Sequence, residues 1–313
     1  MLHSDDVTRL GEIRIGISGW RYDGWRGVFY PDGLRQKDEL AFAAKTFRTV
    51  EVNGTFYSLQ RPSSFRAWRD QTPYHFMFAV KGPRFITHML KLTRAETPLA
   101  NFFGNGMLAL GEKLGPVLWQ LPPNVRFSVE KLAPFFSLLP RDTQSAAKLA
   151  RRHDHRIAGR ACLKGGANRP LRHAVEIRHD SFRCREFVEL LRLYGVALVV
   201  ADTVDWPLLF DVTSDFVYCR LHGSKQLYAS GYGSKALDGW ANRIVEWAKG
   251  GELRVGDFAH PGKAMRAIGR DVFVYFDNDA KVRAPFDAQA LQRKVDNLLS
   301  GNTKARTRQP RKA

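Results

Sequence analysis

The sequence predicts an α/β protein built as one closed (β/α)8 barrel, of the triosephosphate isomerase (TIM) type. The first observation behind this is rhythm: eight short apolar runs alternate with mostly helical connectors. The second is that the first run ends in GISGW, which is not the GxGxxG phosphate turn expected of an open doubly wound sheet. The third is parity. Several runs end in polar residues that alternate with apolar ones, as strands do when helices cover the outside and polar groups fill one end of the inside. At 313 residues the chain is long enough for two average domains, but such barrels use about 250 residues as one. The domain is therefore placed at residues 12–300.

Taken in order, residues 13–18 (IRIGIS) read as the first strand, followed by a loop dense in glycine and aromatics that is either a lid or a plug. Residues 38–47 repeat apolar side chains at helical spacing, and 48–53 form the second strand. A short helix over 63–69 opens with Pro62 and a serine, and 75–81 (HFMFAVK) is the third strand. The spacing predicts a helix over 99–113, then a fourth strand over 115–120 stopped by Leu121-Pro122-Pro123. Ser128 is expected to cap a helix ending at Leu139. Residues 140–170 lose the rhythm, gain charge, and read as an insertion over a surface. The rhythm resumes with strand 172–178, helix 182–194, strand 196–202, a short turn, strand 216–222, helix 237–249, strand 272–277 and a final helix over 285–299. Residues 301–313, rich in Lys and Arg without apolar periodicity, read as a disordered basic tail.

With 44% hydrophobic residues a sizeable core is available, and no apolar run approaches the length of a membrane span or a secretory signal. A cytoplasmic, monomeric protein with no membrane partner is expected. Cys162, Cys184 and Cys219 are scattered and odd in number, which fits a reducing compartment and excludes a cysteine-built zinc site. The net charge of +18 makes anionic partners an expectation, nucleic acid among them.

Barrel active sites lie at the carboxyl ends of the strands, so the last inward residues are the candidates. Glu51 and Asn53 oppose Val50 and Val52. Lys81 shares its face with Ala79 and Met77, Gln120 opposes Val117 and Trp119, and Glu176 and Arg178 oppose Val175 and Ile177. Tyr218, Arg220 and His222 oppose Val217, Cys219 and Leu221. Asp202 ends the sixth strand; Asp277 and Asn278 end the eighth with unsettled parity. Each alone suits a solvated rim or a structural ion pair. Together they predict a polar pocket, because so many charges in one barrel mouth cost several kcal/mol per ion unless paired or liganded. The first strand lacks the HxH of metal-dependent barrel hydrolases, histidines are few, and the carboxylate positions usual in retaining glycosidases carry Gln120 and His222. No metal ligands are assigned. Trp20, Tyr22, Trp25, Phe56, Tyr57, Tyr228 and Tyr232 fall in loops leaving the same end, where they either stack on a ligand or seal the barrel.

These stretches resemble the YecE-like family, domain of unknown function 72. The likeness is carried by GISGW (16–20), GWRGVFYP (24–31), VEVNGTFY (50–57), FAVKGPRFITH (78–88), LGPVLWQLPP (114–123), VEIRHDSF (175–182), YCRLHG (218–223) and VYFDND (274–279). It covers nearly the whole chain and implies a (β/α)8 barrel, with no established activity. The family pattern more often has Ser at Gly54, Trp at Phe182 and Asn at Asp277. Losing the hydroxyl at Gly54 weakens any nucleophile in that loop, and Asp277 adds a negative group to the mouth.

The expected function is acid–base hydrolysis or lysis of a phosphorylated or nucleotide-like compound. Glu176 or Glu51 would be the base and His222 the acid, with Lys81, Arg178 and Arg220 holding the anion. Asn53, Tyr57, Gln120, Asp202, Trp20 and Asn278 complete the expected substrate-binding set. The sequence carries no organic cofactor signature and leaves a divalent metal open. The alternative is a nucleic-acid-binding protein in which the basic surface grips phosphates and the aromatic loops stack bases.

Overall fold

The computed structural model describes residues 10–223, 226–262 and 269–307. Eight strands carry the chain around the barrel: β1 (Ile13–Ser18), β2 (Thr49–Val52), β3 (Met77–Lys81), β4 (Leu114–Gln120), β5 (His173–Glu176), β6 (Ala197–Asp202), β7 (Phe216–Leu221) and β8 (Asp271–Phe276). Each pairs parallel with the next, and β8 returns to β1 with Ile13 opposite Val272 and Ile17 opposite Phe276, closing the cylinder. Closure leaves no edge strand, so all eight are protected from pairing with another chain.

Helices α1 (Glu39–Thr46), α2 (Gly54–Tyr57), α3 (Pro62–Asp70), α4 (Glu96–Gly104), α5 (Val129–Leu138), α6 (Thr143–Ala150), α7 (Arg185–Tyr194), α8 (Ser234–Ala248) and α9 (Ala284–Thr307) occupy the connections. The outward side chains of the strands, such as Val50, Val52, Val175 and Cys219, are buried in the large core shared with these helices.

Four sequence expectations change. The helix expected over 99–113 is two pieces, because Gly106 takes a left-handed φ of 119° where a Cβ would lie 2.5 Å from the Pro62 backbone. Ser128 does occupy the residue before α5, but its hydroxyl donates to the Glu130 carboxylate at 2.7 Å instead of capping a backbone N–H. Strand five ends at Glu176, which puts Arg178 in the loop beyond it. The final helix continues to Thr307, into the stretch read as a tail, while residues 308–313 lie outside the described residues.

Within 140–170, Asp142 accepts the Ser145 N–H at 2.7 Å and opens α6, which packs Ala146 and Ala150 into the core beside α4. Asn101 of α4 exchanges two hydrogen bonds with Asp154, at 3.1 and 3.0 Å. The segment is therefore docked on the helical layer, with Arg151, Arg152 and Arg156 outward.

The inside of the cylinder is layered. At the amino-terminal end the Arg14 and Arg172 guanidinium groups lie over Phe273 and Phe216, 5.5 and 5.3 Å from the ring centroids. Above them Tyr218 and Tyr275 pack with centroids 5.0 Å apart, and Thr49 Oγ1 lies 2.8 Å from the Tyr275 hydroxyl. Gly16 belongs here: a Cβ would sit 2.0 Å from the Thr49 carbonyl oxygen, so only glycine lets β1 pass β2. The carboxyl-terminal layer is polar: Ser18, Glu51, Lys81, Gln120, Glu176 and Arg220.

Candidate functional site

Arg220 organises the upper layer. From β7 it donates Nη2 to Glu51 Oε1 at 2.9 Å, Nε to Glu51 Oε2 at 3.1 Å and Nη1 to Glu176 Oε2 at 2.6 Å. Nη2 also reaches Asp277 Oδ2 at 2.8 Å and Ser18 Oγ at 3.1 Å. Tyr218 adds its hydroxyl to Glu51 Oε2 at 2.6 Å. Glu51, Glu176 and Arg220 have no solvent exposure at all. Burial alone would neutralise such groups. Here it opposes the charge on Arg220, but Asp277, Glu51 and Glu176 raise its pKa well above the usual value. Burial likewise pushes Glu176 up, and Arg220 followed by Arg178 outweigh it and hold the carboxyl well below the usual range.

Arg178 leaves the end of β5, donates to Glu176 Oε1 at 2.8 Å and to the Tyr228 hydroxyl at 3.2 Å, and stacks 3.6 Å from the centroid of Trp206. His222 is also fully buried. Its Nδ1 lies 3.0 Å from Asp277 Oδ2 and its Nε2 3.8 Å from Glu176 Oε2.

Over this floor opens a cavity of about 950 Å³. Its walls include Lys81, Gln120, Arg178, Asp277 and Asp279, with Arg84 and His88 from the irregular turn after β3 and Tyr22 from the loop after β1. Glu51, Glu176, His222 and Arg220 lie beneath the lining. The residues expected to be catalytic are thus held in a closed ionic floor, and the side chains that face the cavity lie one layer higher.

The wall groups have displaced pKa values. Burial, then the Arg220 charge, lowers Lys81 to about 8 despite Glu51, Asp277 and Glu176. Burial and the neighbouring Asp277 raise Asp279 to about 6. Burial opposes ionisation of Asp277, but Arg220, His222 and Lys81 hold it below the usual carboxylate range. His88 is lowered to about 4, by burial and then by Arg178 and Lys81. At neutral pH the cavity therefore presents a neutral imidazole, a largely charged ammonium and a carboxyl close to its titration point.

Of the expected substrate-binding set, Trp20, Asn53, Tyr57, Lys81, Gln120 and Arg178 line the cavity. Asn53 donates to Ser18 Oγ at 3.0 Å and leaves Oδ1 buried without a partner; Tyr57 is 71% exposed at the rim. Two residues must be withdrawn. Asp202 points outward from β6 and accepts the Trp240 Nε1–H of α8 at 2.9 Å. Asn278 is buried behind the mouth, tying the Ser230 carbonyl to Asp287 of α9 at 3.0 and 2.8 Å. Asp277 is the member of its pair that turns inward. Asp279, Arg84 and His88 were not among the expected site residues, although their position three to seven residues past a strand end is where barrel enzymes place loop side chains. The aromatic loop after β1 divides: Trp20, Trp25, Phe29 and Tyr30 are buried in the core, while Trp20 and Tyr22 also reach the cavity wall.

Among the described residues no group of three His, Cys, Asp or Glu is arranged to hold a metal ion. The point where Glu51, Glu176 and Asp277 converge is filled by the Arg220 guanidinium.

Fold and mouth together define a (β/α)8 barrel protein with a cavity lined by charged and aromatic side chains at the carboxyl ends of its strands. The family described as "Protein of unknown function DUF72" matches residues 14–312, and the chain belongs to that family. It is similar to UPF0759 protein YecE of Escherichia coli (strain K12), 30% identical over 142 residues, covering 40% of this chain and 50% of that protein. It is also similar to UPF0759 protein YunF of Bacillus subtilis (strain 168), 30% identical over 120 residues, covering 36% of this chain and 40% of that protein. These matches span about half the length of the relatives or less. A crystal structure of a DUF72 family protein from Thermotoga maritima shares the fold with a TM-score of 0.66 and 24% identity, over 92% of this chain and 99% of that one. One from Enterococcus faecalis gives 0.62 and 16%, over 91% and 95%. No helix among the described residues is long and apolar enough to cross a membrane.

Proposed function

We propose that the barrel mouth is the catalytic pocket of a hydrolase or lyase acting by acid–base chemistry on a small phosphorylated or nucleotide-like anion. The observation that carries this reading is how charge is divided. The carboxylates Glu51, Glu176 and Asp277 converge on Arg220, whereas Lys81, Arg84 and Arg21 face the cavity with no carboxylate in ion-pair distance among the described residues. An anion entering the mouth meets cations that are not already neutralised.

Because Glu51 and Glu176 are bound to Arg220, proton transfer passes to Asp279, whose pKa of about 6 suits work near neutrality. Purified protein would be screened against phosphorylated metabolites with and without divalent metal. For a substrate found this way, Asp279→Asn should lower kcat by about 100-fold or more with a smaller change in KM. Tight binding of one ligand that is never turned over would replace the enzyme with a receptor.

A second reading is favoured by a separate groove of about 620 Å³ lined by Arg61, Arg66, Arg160 and Lys164, with no acidic residue in its walls. Arg160 donates to the backbone of Gln60, which itself lines the mouth, so groove and mouth adjoin. A nucleic-acid strand would place phosphates along the groove and a base on exposed Tyr57. Fluorescence anisotropy of a single-stranded oligonucleotide across a salt series tests it. Affinity should fall steeply with salt, and replacing Arg61, Arg66 and Lys164 by alanine should flatten that slope. A slope unchanged by those replacements would end this reading.

A further inference from the structure

We infer that Lys81 is a nucleophile whose side-chain amine forms an imine with an aldehyde or ketone carbonyl of a ligand in the mouth; the anionic class of that ligand rests on the reading above.

Lys81 is the last residue of β3, on the inward face with Ala79. Its backbone carbonyl accepts the Thr55 hydroxyl at 2.7 Å, which fixes the strand end, and its Nζ lies 4.4 Å from the centroid of the Phe56 ring. The groups whose charge it feels are Arg220, Glu51, Asp277 and Glu176, and His88 and Arg178 share the wall. A lysine ringed by three carboxylates would ordinarily be locked as an ammonium ion. Here all three place an oxygen within 3 Å of Arg220, and none lies within ion-pair distance of Nζ. Arg220 thus removes the counter-ions of Lys81 and adds a like charge beside it.

A desolvated lysine next to another cation is a recognised way to obtain a neutral amine at physiological pH. With a pKa of about 8, the neutral fraction near pH 7 is about two orders of magnitude above that of an ordinary exposed lysine.

The chemistry balances within the pocket. The Nζ lone pair adds to the carbonyl carbon while a proton passes from nitrogen to the former carbonyl oxygen, giving a carbinolamine. That hydroxyl then takes a proton and leaves as water, and the C–N bond becomes the imine. Asp279, which lines the same cavity and is partly protonated near neutrality, supplies that proton. Added borohydride delivers a hydride to the imine carbon and leaves a stable secondary amine on Lys81.

The test uses the full wild-type chain with pyridoxal 5′-phosphate or pyridoxal as probe, borohydride as the trap, and peptide mass mapping as the readout between pH 6 and 9. Lys81 should be modified at least about 10-fold faster than exposed Lys37 and Lys45, with a rate that rises with pH and levels off above about 8. Lys81→Met should lose this rapid label and keep the slow ones. Labelling of Lys81 no faster than Lys37 and Lys45 overturns the proposal. The two probes separate it from the reading on which its ligand class rests. Equal rates with both keep the nucleophile and remove the anion preference. A phosphorylated ligand that binds calorimetrically while neither probe marks Lys81 keeps the anion pocket and removes the nucleophile.

Discussion

The floor and the wall of the mouth hold similar side chains in opposite states. In the floor, Glu51 and Glu176 hold Arg220, and Asp277 reaches down to it from the wall, all in direct hydrogen bonds. In the wall, Lys81, Arg84 and Arg21 face open space with no such partner among the described residues. A buried charge that is fully paired is held by its neighbours and has little left to give a ligand, whereas an unpaired one at an opening is poised for exchange. The difference teaches that in this barrel the most buried charges hold one another in place, and the less buried ones above them are left facing the cavity.

The largest test of that contrast is Arg220→Met. It leaves three carboxylates without their shared cation and should lower unfolding stability by about 3–5 kcal/mol in a urea melt. A variant with a wild-type midpoint would erase the distinction between floor and wall. Next comes Asn278→Ala, which removes the link between the Ser230 carbonyl and Asp287. A loss of about 1–3 kcal/mol is expected, with Lys81 labelling unchanged, because the link lies behind the mouth. Slower labelling would return Asn278 to the site.

Lys81→Met should act in the other direction on stability. A buried ammonium lacking an ion pair is replaced by an apolar chain of similar length, so the midpoint should hold or rise, by less than about 1 kcal/mol. A loss of more than that would place Lys81 in the floor. A further pair of effects is in pH. Asp279 has its folded pKa raised from 3.8 to about 6, so its contribution is fully present below about 3.8 and is lost as pH rises through about 6. His88 has its folded pKa lowered from 6.5 to about 4, so its contribution is present above about 6.5 and is lost as pH falls toward 4. Between about pH 4 and 6 the two oppose each other. Denaturation of Asp279→Asn should therefore show stability rising more steeply with pH than wild type there, and His88→Gln less steeply. The reverse order would contradict both assignments.

The sequence by itself determined the barrel and most of the inward face of its upper layer. Both rest on local regularities: strands separated by helices admit few parallel closures, and the period of two sends Glu51, Lys81, Gln120, Glu176 and Arg220 to one side wherever alternate residues differ in polarity. That signal fails where the alternation does. β6 (ALVVAD) is apolar on both faces, so nothing in it reveals that Asp202 points toward Trp240, and the backbone after β8 leaves the strand period just where Asp277 and Asn278 diverge. Only the tertiary structure decided which charges pair. Arg220, Glu51, Glu176 and Asp277 come from β7, β2, β5 and the end of β8, positions far apart in the chain, and the closed cylinder brings all four to one point. Pairing depends on distances of a few ångströms across the barrel, which no periodicity along the chain encodes, and it is this pairing that leaves Lys81 without an ion-pair partner among the described residues.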